Sequence, residues 1–189
     1  MRPLIAADLL PLGSLLQARL EYQLVHGQAI NFEGSDLIAV VRGAPGKLAF
    51  GMWDGDTLVA AFVLQHAAPE DRWTDQEHGE PSLLISLMHS RPRRPAQPEH
   101  EGYLRRVTLW LCDYAALLDV PPAWIRCTAR TQRVAEHLEQ CGWDLVRSQH
   151  YASQRPCYLL QCAPQRSAIG SLVLGEGEAD ATREPEGAP

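Results

Sequence analysis

The sequence predicts an α/β fold in which a layer of strands is covered on both faces by helices, and three observations carry that expectation. The runs 58–64 and 83–88 are almost continuously apolar, the pattern of strands buried on both sides. Elsewhere apolar residues return at helical spacing, as in Leu104, Val107, Leu111, Ala115 and Leu118. At 189 residues and 46% hydrophobic content, the chain can bury one sizeable core and is short for two ordinary domains.

In chain order, Arg2-Pro3-Leu4-Ile5 reads as a short first strand. Asp8 then caps a helix whose apolar face runs through Leu9, Leu12, Leu15, Leu16, Leu20 and Leu24. Ser35-Asp36 starts a second helix through Leu37, Ile38, Val40 and Val41, stopped by Gly43-Ala44-Pro45-Gly46. The runs 48–53 and 58–64 flank Asp54-Gly55-Asp56, and an Asp-Gly turn between apolar runs predicts a hairpin. Residues 68–81 read as a polar loop before the buried strand 83–88. A third helix through Leu104 to Leu118 stops before Pro121-Pro122.

Residues 124–160 hold the most informative pattern. Trp124-Ile125-Arg126-Cys127-Thr128 reads as a strand. Val134, Leu138 and Cys141 recur at helical spacing before Gly142, a residue able to end the helix in a left-handed conformation, and strands at 143–147 and 157–162 follow. Beyond Pro164 the chain is mostly Gly, Ala, Glu and Pro. Residues 163–189 are therefore expected to be a disordered acidic tail that carries −3 of the formal charge of −6.

The remaining body is mildly acidic, so nucleic acid is not an expected partner. No apolar run nears the roughly 20 residues of a membrane-spanning helix, and Asp8 interrupts the N-terminus before a signal-peptide core could form. The expected location is cytoplasmic, with no membrane partner. The five cysteines, Cys112, Cys127, Cys141, Cys157 and Cys162, include no C-x-x-C pair, which predicts reduced core thiols and no metal site. No H-E-x-x-H, G-x-S-x-G or phosphate-loop sequence occurs.

The order β, α, α, β, β, β, α, β, α, β, β over residues 1–162 resembles the GNAT superfamily of N-acetyltransferases. Family chains commonly carry Asn, Ala, Tyr and Gly-Phe where this one has Thr131, Val134, Leu138 and Gly142-Trp143. The resemblance implies a central mixed, mostly antiparallel sheet flanked by helices. It also implies transfer of an acetyl or other acyl group from acyl-CoA to an amine, by direct attack within a ternary complex. By the same resemblance the backbone of Leu87, Met88 and His89 would pair with the amide-bearing arm of acetyl-CoA. The loop and helix N-terminus at Arg93, Arg94, Gly102 and Tyr103 would hold its pyrophosphate, and Thr131 would line the cofactor groove.

The phosphate loop keeps one glycine of the usual pair, Gly102. Glu99 and Leu104 replace the other familiar residues, and Pro92, Pro95 and Pro98 remove amide donors. Arg91, Arg93, Arg94, Arg105 and Arg106 supply positive charge around it. For proton transfer, Leu138 replaces the family's tyrosine acid, and His137 beside it points about 100° away around the helix. His89 is the titratable candidate, with Tyr151 as an acid and Glu80 as a base. No cysteine stands beside a recognisable base, which disfavours a cysteine relay. Trp73 reads as an exposed loop aromatic near the acceptor entrance. The acceptor is a small-molecule or peptide amine, and a homodimer through exposed strand edges is compatible with the fold. The alternative is a GNAT-fold module that has lost transfer chemistry and binds another ligand or partner.

Overall fold

The computed structural model describes residues 1–28, 33–66, 72–92, 103–149 and 156–166. The strands are β1 (Arg2–Pro3), β2 (Lys47–Asp54), β3 (Thr57–His66), β4 (Ser82–Ser90), β5 (Trp124–Ala129), β6 (Asp144–Gln149) and β7 (Cys157–Cys162). The helices are α1 (Leu9–Val25), α2 (Gly34–Val41), α3 (Asp75–Gly79), α4 (Tyr103–Ala116) and α5 (Gln132–Gln140). One seven-stranded sheet has the order β1-β2-β3-β4-β5-β7-β6. All neighbouring pairs are antiparallel except β4 and β5, which run parallel. The last strand, β7, therefore lies inside the sheet between β5 and β6.

Strand β3 is apolar from Leu58 to Leu64 because both of its faces are covered there. Val59, Ala60, Phe62 and Leu64 join Val107, Trp110 and Leu111 of α4 and Ala135 and Leu138 of α5 in the larger core. On the opposite face Leu58, Ala61 and Val63 meet Leu12 and Leu15 of α1 and Leu37, Val40 and Val41 of α2. Phe50, Phe62, Trp110 and Tyr114 pack ring against ring, with centroids 4.8–6.0 Å apart. Gly51 of β2 is needed for close packing: a Cβ there would lie 2.6 Å from Leu4 and 2.7 Å from Leu58 side-chain carbons.

Three expectations change. The segment read as a loop before β4 contains α3, started by a reciprocal cap in which Thr74 N–H donates to Glu77 and Glu77 N–H donates to the Thr74 hydroxyl. The apolar stripe of α1 is buried only at its start: Leu12 and Leu15 are inside, while Leu20 and Leu24 are exposed. Asp8 precedes α1 without capping it by its side chain. Its carboxylate instead takes a bidentate pair from Arg2 at 2.7 and 2.8 Å and the N–H of Ile5 at 2.9 Å. Gly142, at φ +88°, ends α5 as expected. Among the described residues no helix is long and apolar enough to cross a membrane. Of the proposed tail, residues 163–166 extend beyond β7, and 167–189 lie outside the described residues.

Candidate active site

Strands β4 and β5 pair only over their first four residues, from Ser82 with Trp124 to Ile85 with Cys127. Beyond that point β4 keeps its bond to β3 but has no partner on the β5 side among the described residues. The β4–β5 ladder therefore ends at Ile85 and Cys127, and the gap left between Ser86–Ser90 and Thr128–Ala129 is the candidate cleft. A bulge in β4 marks the place where the strands part. Val63 pairs with Ser86 and Ala61 with His89, so Phe62 alone faces the two residues Leu87 and Met88. Leu87 has φ 50°, the one positive value at a non-glycine position among the described residues. An L-residue is strained there, and the strain re-aims the backbone of β4 at the mouth of the cleft.

His89 follows the bulge and is buried. Its Nε2 has no hydrogen-bond partner among the described residues. Burial pushes its pKa below the ordinary 6.5; Glu33 opposes the shift and Arg19 adds to it. The neutral imidazole, with a vacant ring nitrogen, is thus the favoured form at neutral pH. These two charges belong to the α2 N-terminus and to α1, which places His89 on the α1–α2 side of the sheet. Glu33 is also ion-paired with Arg130, directly after β5. Sequence reasoning singles out neither residue, because no motif or spacing ties positions so far apart.

At the other boundary of the cleft, α4 opens with Tyr103 buried, and with Arg105 and Arg106 exposed on its first turn. Burial raises the Tyr103 pKa and Asp54 adds to the rise, against Arg106 and Arg91. Leu104, expected to obstruct a diphosphate, turns inward and packs against the larger core. Arg91 is partly committed: its N–H bonds to Val59 O at 2.8 Å and its Nε to Leu58 O at 3.0 Å. A helix N-terminus bearing two exposed arginines and no first-turn acid suits an anion. Thr131 caps α5, its hydroxyl accepting from Val134 N–H at 3.3 Å. Arg93, Arg94, Gly102 and Tyr151 lie outside the described residues.

The structure brings Leu87, Met88 and His89 together at the cleft and separates other candidates from it. Glu80 sits before β4, at the opposite end from His89 and roughly 25 Å or more away at strand rise. It is ion-paired with Arg126, so it is not a base for this cleft. Trp73 is buried, not exposed: it packs with Cys157 and Leu159, and Arg126 stands over its ring. Leu138 is buried in the core and offers no proton. The expectation that no cysteine neighbours a base is also corrected. Cys141 Sγ lies 3.9 Å from His137 Nε2, one turn away on α5, a long contact even for sulfur.

No protein-family profile matches the chain, and no curated protein does. Solved structures do. FeeM, an N-acyl amino acid synthase from uncultured soil microbes, is 12% identical with a TM-score of 0.57, over 86% of this chain and 95% of its own. An acetyltransferase from Thermus thermophilus is 14% identical with a TM-score of 0.57, over 85% and 94%. The chain has the GNAT fold. NAA60 from Arabidopsis thaliana, in complex with acetyl-CoA, is 14% identical with a TM-score of 0.54, over 86% and 96%.

Proposed function

We propose that this protein is an acyl-CoA-dependent N-acyltransferase that moves an acetyl or related acyl group to an amine. The observation that carries the reading is the bulge at Leu87–Met88, placed where β4 separates from β5. An unpaired strand edge there can accept an extended amide-bearing arm as an added strand, and re-aimed backbone N–H groups can polarise a thioester carbonyl. The likeness to structures named as acetyltransferases, and to one holding acetyl-CoA, supports the same reading.

In this mechanism the free amine attacks the thioester carbon while backbone donors of β4 stabilise the oxyanion. His89, neutral and vacant at Nε2, takes the proton released from the amine, and the tetrahedral intermediate collapses with loss of the CoA thiolate. Water protonates the leaving thiolate, because Leu138 occupies the place where the fold family commonly has its tyrosine. Positioning supplies most of the acceleration in such a direct transfer. Arg105, Arg106 and the start of α4 would meet the cofactor's phosphates.

Buried Leu138 favours a second reading, a binding module that keeps the groove and has lost the chemistry. Isothermal titration with acetyl-CoA, using CoA and ATP as controls, followed by an amine-acceptor screen, separates the two. The transferase reading expects micromolar binding selective for CoA species and an acylated product. Selective binding without turnover of any amine would favour the module.

A further inference from the structure

Away from the cleft, two free thiols touch across the larger core. Cys112 Sγ on α4 lies 3.8 Å from Cys162 Sγ at the end of β7, 50 residues further along the chain. Cys162 is buried within the core, and Cys112 packs against it while remaining partly exposed. Cys127 is also on this face, but the register of the sheet keeps it from bonding to Cys162. Ile125 faces Cys162 and Cys127 faces Leu160, so Cys127 and Cys162 are diagonal neighbours on adjacent strands. Diagonal positions sit about 7–8 Å apart, beyond the roughly 4.4–6.8 Å between Cα atoms that a disulfide spans. Cys112 approaches from the helix layer, where no strand register holds it off.

The two thiols are unequal in the way that an attacking and a resolving thiol must be. The contact with Cys162 lowers the Cys112 pKa, against burial and the nearby Asp113. That same contact, burial and negative charge on Cys112 push the Cys162 pKa up. The partly exposed thiol is therefore the one that ionises, and the thiolate is the nucleophile. Once Cys112 has become a neutral sulfenic acid, its charge no longer holds the proton on Cys162.

We infer that Cys112 and Cys162 form an oxidation site for hydroperoxides, in which Cys112 attacks and Cys162 resolves to an intramolecular disulfide. Cys112 Sγ attacks a peroxide oxygen and the O–O bond breaks. One oxygen stays on sulfur as the sulfenic acid; the other takes up the proton that Cys112 gave up and leaves as an alcohol or, from hydrogen peroxide, as water. Cys162 Sγ then displaces the sulfenic hydroxyl, which departs with the Cys162 proton as water. Two electrons pass from the sulfur pair to the peroxide. The sulfurs close to about 2 Å by side-chain rotation and a slight approach of α4 to the sheet. The bond ties α4, whose first turn carries Arg105 and Arg106, to the last strand, and the loop that it closes contains β5, α5 and β6.

The test treats the full reduced chain with about tenfold excess hydrogen peroxide at about pH 7.5, blocks free thiols, and maps non-reduced digests by mass spectrometry. Trypsin is followed by chymotrypsin, which cuts at Tyr158 and separates Cys157 from Cys162. Most of the wild-type chain should carry a Cys112–Cys162 cross-link that dithiothreitol reverses. Cys162→Ala should stop at the sulfenic acid, captured by dimedone on Cys112 at least fivefold more than in wild type, and Cys112→Ala should leave Cys162 unlinked. Cys112 is partly exposed, so its variant reports even if Cys162→Ala folds poorly. The bridged wild type should melt about 5 °C or more above the reduced protein, because the bond constrains the unfolded chain over the 50 positions between the cysteines. An unreactive pair, oxidation of Cys112 to sulfinic acid without a cross-link, a cross-link to another cysteine in its place, or a covalent dimer would overturn the inference. So would a bridged protein that melts no higher than the reduced one, since its bond would have been trapped from a distorted chain.

Discussion

The guanidinium carbon of Arg126 lies 4.8 Å from the centroid of the Trp73 ring, and both residues are buried. Around that stack Arg126 donates to the Glu77 carbonyl, the Glu80 carboxylate and, at 3.4 Å, Gln161 Oε1. Arg147 of β6 pairs with Glu77 of α3. Together these contacts fix α3 and the entry to β4 onto β5, β6 and β7, where neither α1 nor α2 reaches.

Arg126→Met should therefore destabilise the protein without touching the cleft. Removing one partner from a buried ion pair costs about 3–5 kcal/mol, and the lower end applies because the Glu80 side chain is 37% exposed and regains water. Urea titration should show a loss near ~3 kcal/mol, with acetyl-CoA affinity of the folded fraction unchanged. A loss below ~1 kcal/mol would mean that Trp73 is held by packing alone.

At Leu87 the backbone, rather than the side chain, is the functional element. Leu87→Val places a β-branched residue at positive φ and should cost about 1–3 kcal/mol. Leu87→Gly relieves the strain while forfeiting apolar contact, so it should stay within about 1 kcal/mol of wild type. Calorimetric CoA affinity is expected to fall for the valine variant and to persist for the glycine variant.

For His89 the sign follows from burial, which lowers its folded pKa below the unfolded 6.5. The unfolded chain then binds the proton more readily. The contribution of the neutral imidazole to stability is complete above pH 6.5 and is lost as pH falls from there through the folded value. Melting temperatures from about pH 8 to about pH 5 should decline less steeply for His89→Gln than for wild type. The acylation rate of the variant should lose the ascending limb below about pH 6.5 that a His89 base imposes.

Of Cys112, Cys127 and Cys162, Cys112 should react first. Its Sγ lies 3.8 Å from that of Cys162, and the hydrogen bond between the two lowers the Cys112 pKa against the opposing effect of burial. The Cys162 thiol is correspondingly pushed up by that contact and by burial, and Cys127 is pushed up by burial alone. Iodoacetamide mapping by mass spectrometry at about pH 7.5 should find Cys112 modified ahead of Cys127 and Cys162, and Cys162→Ala should slow it.

Gly51→Ala tests the contact between β1, β2 and β3. A methyl group 2.6–2.7 Å from Leu4 and Leu58 forces both side chains to move, at about 1–3 kcal/mol. At roughly 2–4 °C per kcal/mol for a chain of this size, the melting temperature should fall by about 2–12 °C.

Local patterning makes most of this fold readable in advance. The bounds of β7 follow from its apolar run, and Gly142 ends α5 where a left-handed residue is needed. The Thr74-x-x-Glu77 cap is also present in the sequence, but α3 has only five residues and its polar surroundings hide it. Trp73 reads as exposed because the groups that bury it, Arg126, Cys157 and Leu159, lie more than fifty positions along the chain. The second half of α1 carries an apolar stripe that the structure leaves in water at Leu20 and Leu24. At the site, His89 is legible as a titratable group at a strand end, whereas Glu33–Arg130 and the strain at Leu87 arise only from tertiary placement.

The interior position of β7 also sets the order in which the molecule can be completed during synthesis. Until residues 157–162 leave the ribosome, β5 presents an open edge, β6 has no neighbour, and Trp73 lacks the Cys157 and Leu159 side chains that cover it. A nascent chain in that state offers two templates for wrong strand pairing. Its exposure to misassembly is therefore greatest while the segment from 144 to 157 is being made, after most of the core already exists.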